Sequence, residues 1–345
     1  MSVAAETLPS TLQSYELHSD SGALRCTISN LGARWLSAWV PDRDGQWEDV
    51  LLGYAQLQDY RHDSAYFGAI VGPWANRIAQ GRFELDGQTI QLQQNQGSNH
   101  LHGGDQGLHA QLWQCLEQGP QHLRLGCSLP ASRSGHPADV RVEVTYRIVD
   151  STLHIHYQAE VSARCPLNLT AHPYFNLAPR RGDIGQHWLQ IHAGHYLAVD
   201  EQLIPQREEA VDGSLFDLRQ PQQLATLLAP LTQADCPRQL QLGAGLDHCW
   251  LPEGQGLREV AMVYEPLSGR QLRVSSDQPG LQCYTGNYLA GIAGKQGHYR
   301  NHDGFCLEAQ ALPDQVNSPR AAECIYSPEH PYRQHSCYQF TTRSG

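Results

Sequence analysis

Positive charge is scarce in this sequence. Its 345 residues hold 24 lysines and arginines against 35 aspartates and glutamates, a formal net charge of −11, and no basic run occurs. Such a surface suits neither nucleic acid nor an anionic membrane. Long apolar runs are also missing. The opening stretch MSVAAETLPSTLQSYELHSD has neither a cationic start nor an apolar segment of signal-peptide length, and no later stretch approaches a membrane span. The expected location is the cytoplasm. The ten cysteines lack any Cys-x-x-Cys pair or finger-like spacing, which removes the common zinc and dithiol motifs. A chain of this length needs no disulfide staples, so reduced thiols are expected, many of them in strand interiors. There is no internal repeat, no low-complexity tract and no composition shift that would mark a linker. One domain over 1–345 is expected, with residues 1–12 loosely ordered.

What is present is period-two alternation. Hydrophobic residues make up 40% and charged residues 17%, enough apolar material for a sizeable core. From 140 to 149, Val140, Val142, Val144, Tyr146 and Ile148 point one way and Arg141, Glu143, Thr145 and Arg147 the other. After Asp150-Ser151 the pattern resumes, with Leu153, Ile155, Tyr157, Ala159 and Val161 set against His154, His156, Gln158 and Glu160. The two form a hairpin. Further hairpins are expected where Phe83 and Leu85 enter Asp86-Gly87, and around Ser268-Gly269. Helix patterning is limited to 221–233, where Leu224, Leu227, Leu228 and Leu231 share a stripe. The fold class is therefore all-β, mainly antiparallel, a large two-sheet β-sandwich with few short helices.

Three polar segments break this pattern. The first runs Gly-Ala-Ile-Val-Gly-Pro-Trp-Ala-Asn-Arg-Ile at 68–78, then Asn-His-Leu-His-Gly-Gly at 99–104. Arg77 offers a planar five-donor fork for hydroxyls. His100 and His102, two apart, would share a face on a strand. That pair is compatible with a Gly-rich turn, a ligand site or a metal site of the His-x-His kind, although no Glu and His follow at suitable spacing. The second is Asn-Leu-Thr-Ala-His-Pro-Tyr-Phe-Asn-Leu at 168–177. Pro173 pushes His172 toward an extended conformation, which sets Asn168, Thr170, His172, Tyr174 and Asn176 in one row. That row contains no Lys or Glu to solubilise it. The third, at 304–314, puts Glu308 mid-strand among small and apolar neighbours. A carboxylate there is either solvated or costly unless it is hydrogen-bonded or poised for proton transfer.

These segments, with Gly-Leu-Asp-His at 245–248 and Gln-Cys-Tyr-Thr-Gly-Asn at 282–287, resemble the aldose 1-epimerase (galactose mutarotase) family in order along nearly the whole chain. The likeness rests on Ala-Asn-Arg-Ile at 75–78, Leu-His-Gly-Gly at 101–104, the whole 168–177 stretch, and Leu-Glu-Ala-Gln-Ala-Leu-Pro-Asp at 307–314. It implies a galactose mutarotase-like supersandwich, Glu308 as general base and His172 as general acid. It further implies sugar contacts from Asn76, Arg77, His102, Tyr174, Asp247 and Gln282. Pro73 and Trp74 depart from the family pattern, as do Ala171 and Pro173, which bears on substrate preference.

The implied reaction interconverts the α and β anomers of a free aldose such as glucose or galactose. One proton leaves the anomeric hydroxyl and one reaches the ring oxygen, so a base and an acid on different sides of the sugar suffice, without metal or organic cofactor. Glu308 would be ionised and His172 protonated, with Asp247 favouring the imidazolium. A bell-shaped pH profile is expected, its acid limb from Glu308 and its alkaline limb from His172. The alternatives are a sugar-phosphate mutarotase, which would need extra basic residues at the pocket mouth, and a non-catalytic sugar-binding protein on the same fold. A glycoside hydrolase or lyase built on Glu308 and Asp247 would leave His172 without a role. The small aldose is the expected partner of a monomer or homodimer.

Overall fold

The alternation at 140–161 becomes two strands, Val140–Val149 and Thr152–Val161, paired antiparallel along their whole length. Asp150, at φ 51°, supplies the left-handed residue of their turn. The structure, a computed structural model, describes residues 11–179 and 182–343. The expectation for residues 1–12 thus falls mostly outside the described residues.

Both strands belong to a nine-stranded antiparallel sheet. Its order is Gln114–Gln118, His122–Leu129, Val140–Val149, Thr152–Val161, Tyr332–Thr342, Arg270–Ser276, Arg258–Tyr264, Trp188–Ile191 and Gln222–Gln223. A five-stranded antiparallel sheet runs Pro205–Ala210, Ala193–Val199, Asp247–Pro252, Gly280–Tyr284 and Cys306–Gln310. A four-stranded sheet, Ser14–His18 through Trp47–Asp49, adds to these. One apolar cluster joins all three. It takes Tyr146, Ile155 and Tyr338 from the nine-stranded sheet, Trp250, Leu281 and Leu307 from the five-stranded sheet, and Ile28 and Trp35 from the four-stranded sheet. Trp35 meets Tyr338 and Phe175 edge-on at 5.3 and 5.7 Å, the geometry that aromatic quadrupoles favour. Gln334 Nε2 donates to the Ala309 carbonyl at 3.0 Å, tying the two large sheets together through a polar contact.

The Asp86-Gly87 hairpin joins Arg82–Leu85 to Gln88–Gln91, with both turn residues at positive φ. The hairpin around Ser268-Gly269 joins Arg258–Tyr264 to Arg270–Ser276. The apolar stripe at 221–233 divides into Leu224–Leu228, an α-helix, and Ala229–Thr232, a 3-10 turn. All ten cysteines are free thiols, nine of them buried. No helix among the described residues is long and apolar enough to cross a membrane.

Several buried histidines are fixed as neutral tautomers. His187 accepts the Leu177 N–H at Nε2 (2.9 Å), so its proton sits on Nδ1 and goes to the Ile184 carbonyl at 3.0 Å. His248 accepts the Asp247 N–H at Nδ1 (3.2 Å) and donates from Nε2 to Gln239 Oε1 at 3.1 Å. A second proton on either ring would face an N–H. Burial pushes His187 down to about 4, and His248 and His136 down to about 3. In the unfolded chain these rings protonate near the ordinary histidine value, so the unfolded state takes up protons first as pH falls. Stability is therefore whole above about pH 6.5 and is lost toward pH 4, by about 1.4 kcal/mol per pH unit for each such histidine. Urea unfolding at pH 7, 6 and 5 should show a midpoint that drops steeply. A flat profile over that range would mean that these rings are charged in the native state.

Candidate active site

The pleat of the five-stranded sheet decides which side chains face the cleft. In Cys306–Gln310, Leu307 and Ala309 enter the shared core, so Cys306, Glu308 and Gln310 take the opposite face. In Gly280–Tyr284, Leu281 and Cys283 enter the core, leaving Gln282 and Tyr284 on that same face. The register places Gln282 opposite Glu308 and Cys249, and Tyr284 opposite Cys306 and Asp247. Two cross-strand rows result: Cys249, Gln282, Glu308 and Asp247, Tyr284, Cys306. Gln282 Nε2 donates to Asp247 Oδ1 at 2.7 Å, bracing one row against the other.

Loops close the cavity from above. Asn76, at φ 64°, caps its own turn by accepting the Arg77 N–H at Oδ1, 2.8 Å away. Its backbone N–H donates to His102 Nδ1 at 3.1 Å, which fixes the His102 proton on Nε2. His102 is itself left-handed at φ 52°, followed by Gly103 at φ 84°. A Cβ on Gly103 would lie 2.0 Å from the Gly72 carbonyl oxygen, so glycine is required there. Arg77 Nε donates to Gln96 Oε1 at 2.8 Å, which orients the guanidinium. The backbone of His172 is held at both ends, N–H to the Ala69 carbonyl and carbonyl to the Gly68 N–H, each at 2.9 Å.

All eight side chains singled out in the sequence, Asn76, Arg77, His102, His172, Tyr174, Asp247, Gln282 and Glu308, line one cavity of about 200 Å³. His172 Nε2 lies 3.6 Å from Glu308 Oε1, and His172 Nδ1 lies 3.5 Å from Cys306 Sγ. Glu308 is 2% exposed, yet its Oε2 and the neighbouring Gln282 Oε1 have no hydrogen-bond partner. Both residues line the cavity, where a ligand can satisfy these atoms.

Other expectations are corrected. His100 and His102 do not share a face, because the strand ends at Leu101 and His102 turns left-handed. His100 is buried away from the cavity, with Nδ1 2.8 Å from the Gln93 carbonyl oxygen. The His-x-His metal reading therefore does not assemble. The ligand atoms that do converge here belong to His172, Cys306 and Glu308, within 4.8 Å of one another. The polar row at 168–176 also divides. Asn168 bonds to Ala75 and Ala311 and Asn176 to Gly182 and Asp303, all through backbone atoms, so both asparagines hold loops together. Pro73 and Trp74 do not line the cavity. Trp74 is buried with Ile78, Phe83 and Val316 and donates to the Arg77 carbonyl at 3.2 Å, supporting the arginine from behind.

Sequence reasoning missed Tyr66, whose ring lies 4.7 Å from that of His102 and 6.0 Å from that of His172. Gln96 and Tyr288 at the cavity wall were also missed. Tyr284 carried a usable signal, standing two residues beyond Gln282 on the same strand face. Tyr66 carried none.

Burial pushes the Glu308 carboxyl well above the usual carboxylate range; Asp247 pushes it further and Arg77 pulls it back. Burial lowers His172 to about 4, and the Arg34 charge acts in the same direction. Asp247 thus acts on Glu308 and does not hold His172 as an imidazolium, contrary to the expectation from sequence. Both shifts run toward the neutral forms, a protonated Glu308 beside an uncharged His172. Such a pair holds one titratable proton, the same count as a carboxylate beside an imidazolium.

The aldose 1-epimerase family profile matches residues 13–339. The chain belongs to the aldose 1-epimerase family. It is 40% identical to human galactose mutarotase over 96% of its own length and 94% of that protein's. It is 36% identical to the aldose 1-epimerase of Escherichia coli K12, over 91% of each chain. Among solved structures, an aldose epimerase homologue from C. elegans shares the fold, with a TM-score of 0.89 at 24% identity over 97% of this chain and all of that one. The galactose 1-epimerase of Lactobacillus acidophilus gives 0.83 at 25% identity, covering 98% of this chain and 100% of that one.

Because ionised Glu308 is disfavoured in the folded state, Glu308→Gln should stabilise the protein, and increasingly so at higher pH. The unfolded carboxyl ionises above about 4.5, so the parent loses stability as pH rises from there toward the raised folded value. The glutamine variant has no such loss. Each kcal/mol relieved corresponds to a Tm rise of roughly 2–4 °C for a chain of about 150–250 residues and somewhat less for one of this length. Calorimetric scans should show a gap between variant and parent that widens from pH 5 to pH 8. A gap that stays constant would show that neighbouring groups accommodate the carboxylate charge.

Proposed function

We propose that this chain is an aldose 1-epimerase that opens and recloses the ring of an uncharged aldose, with His172 and Glu308 moving the protons. The observation that carries the reading is the 3.6 Å contact between His172 Nε2 and Glu308 Oε1 at the wall of a cavity lined by hydroxyl-binding groups. The anomeric oxygen and the ring oxygen share one carbon, so one pair of neighbouring groups can serve both. The two groups lie close enough to act on one anomeric centre.

In the ring-opening step Glu308 as carboxylate takes the proton of the anomeric hydroxyl and a C=O bond forms. The bond from that carbon to the ring oxygen breaks, and His172 as imidazolium gives the ring oxygen its proton. The pair is then neutral, the distribution that burial favours, so the site matches the open-chain half of the cycle. Rotation about the C1–C2 bond exposes the other aldehyde face. Reclosure returns each proton along the same path. The other groups have holding roles: His102 donates from Nε2, Arg77 offers its guanidinium, and Asp247 with Gln282 accepts and donates to hydroxyls. Asn76 and Tyr174 complete the wall. These two proton transfers call for no metal.

Among the described residues, Arg77 is the sole lysine or arginine at the cavity, which favours a free sugar over a sugar phosphate. The chain works as one sandwich domain, since the residues of the site span positions 76 to 308. Ten free thiols suit a cytoplasmic setting, and nothing in the site requires more than a monomer or homodimer.

Glu308→Gln and His172→Asn should each lower the rate of anomer conversion by at least about a hundredfold while sugar still binds. Arg77→Ala should weaken binding along with rate. Polarimetry of freshly dissolved α-D-glucose and α-D-galactose, with calorimetry for binding, separates these outcomes. Near-normal conversion by either of the first two variants would remove that residue from the mechanism. Binding without conversion by the parent would favour a sugar sensor.

The pH profile should be bell-shaped, with activity present while the pair holds one proton. On the acid side it falls as His172 takes up a second proton, near its lowered value of about 4. On the alkaline side it falls as Glu308 gives up the last one. This reverses the limb assignment made from sequence. An acid limb that survives in His172→Asn would contradict it.

A further inference from the structure

The outer face of the nine-stranded sheet carries a second convergence of imidazole and thiol. Thr152–Val161 and Tyr332–Thr342 pair so that His154 stands opposite Cys337 and His156 opposite His335. Leu153, Ile155 and Tyr338 point to the core, so the pleat sends His154, His156, His335 and Cys337 to the other side. His154 Nδ1, His335 Nε2 and Cys337 Sγ are mutually 3.2 Å apart. An imidazole nitrogen has a single in-plane direction for its proton or lone pair, and here each nitrogen has two partners at the same distance. A cation at the centre of the triangle satisfies all three atoms at once.

We infer that His154, His335 and Cys337 form a binding site for a divalent transition-metal ion of the zinc class, held by two imidazole nitrogens and one thiolate. With bonds of about 2.0–2.1 Å to nitrogen and ~2.3 Å to sulfur, edges of this length give angles of roughly 95–105° at the ion, close to tetrahedral. The His154 and His335 rings lie 27° from coplanar with centroids 5.4 Å apart. Two imidazoles converging on one ion would stand roughly 5 Å apart. Mixed nitrogen and thiolate donors select zinc-class ions over calcium or magnesium.

The surroundings hold the ligands in place. The His156 ring stacks on His335 at 3.9 Å with planes 20° apart. The His335 N–H donates to Asp277 Oδ2 at 3.0 Å, fixing the strand beside the site. Cys337 is buried while both histidines are partly exposed, so the fourth coordination position faces solvent and can take a water. Loading breaks the Cys337 S–H bond, releases its proton to solvent and forms a metal–sulfur bond. The ion would then bridge the two central strands of the sheet, on the face away from its contact with the five-stranded sheet.

The test uses the full chain, stripped by chelation and titrated with Zn²⁺ by calorimetry in saturating D-galactose. The sugar occupies the cleft where His172, Cys306 and Glu308 would otherwise compete. One Zn²⁺ per chain is expected, together with a rise in Tm, and Co²⁺ in its place should give a thiolate-to-metal charge-transfer band. Cys337→Ser and His335→Gln should each weaken Zn²⁺ binding at least about tenfold and remove the band while anomer conversion stays at the parent rate. If either variant fails to fold, His154→Gln, at a partly exposed position, gives the same reading. Absence of saturable binding to the parent, or unchanged Zn²⁺ affinity in folded variants, would overturn the assignment.

Discussion

Glu308 is held where its charge is least favoured. The strand Cys306–Gln310 is buried on both faces, so the carboxyl is desolvated by its position in the pleat alone. Much of the cavity can be understood as a response to that constraint. Arg77 supplies the opposing charge, and Trp74 and Gln96 hold Arg77 in place. Gln282 braces Asp247 across the sheet. His172 Nε2 stands 3.6 Å from Glu308 Oε1, and burial favours the neutral form of both groups.

Other parts of the polar interior are handled differently. Asn168 and Asn176 are as buried as the proposed catalytic groups, but each is consumed by backbone partners from distant loops. His187 and His248 are likewise locked between one donor and one acceptor. Satisfied groups of this kind give rigidity. Glu308 Oε2 and Gln282 Oε1, by contrast, lack partners and belong to side chains that line the cavity.

The sheets were largely legible in the sequence because a half-buried strand writes its two faces as alternate residues. Val140–Val149 and Thr152–Val161 show this most plainly. The short helical stripe at 221–233 and the Asp86-Gly87 turn were legible for the same local reason. The rows at the cleft were less so. Around Glu308 both faces are buried, so alternation could not show which face held the sugar and which the core. His100 and His102 were misread as neighbours because a single left-handed residue, His102, cancels strand periodicity.

The sequence alone determined the β class, the hairpins and which eight side chains to look for at the cavity, since these depend on local pattern and on motifs in order. Only the tertiary structure decided that His172 and Glu308 stand side by side, that Asp247 acts on Glu308 rather than on His172, and that Tyr66 and Gln96 join the wall. It also decided that His154 and Cys337, 183 residues apart, meet on one sheet face. The physical reason is the same throughout. Protonation state and ligand geometry depend on distances and desolvation across strands far apart in sequence, and strand register, which no local pattern records, sets both.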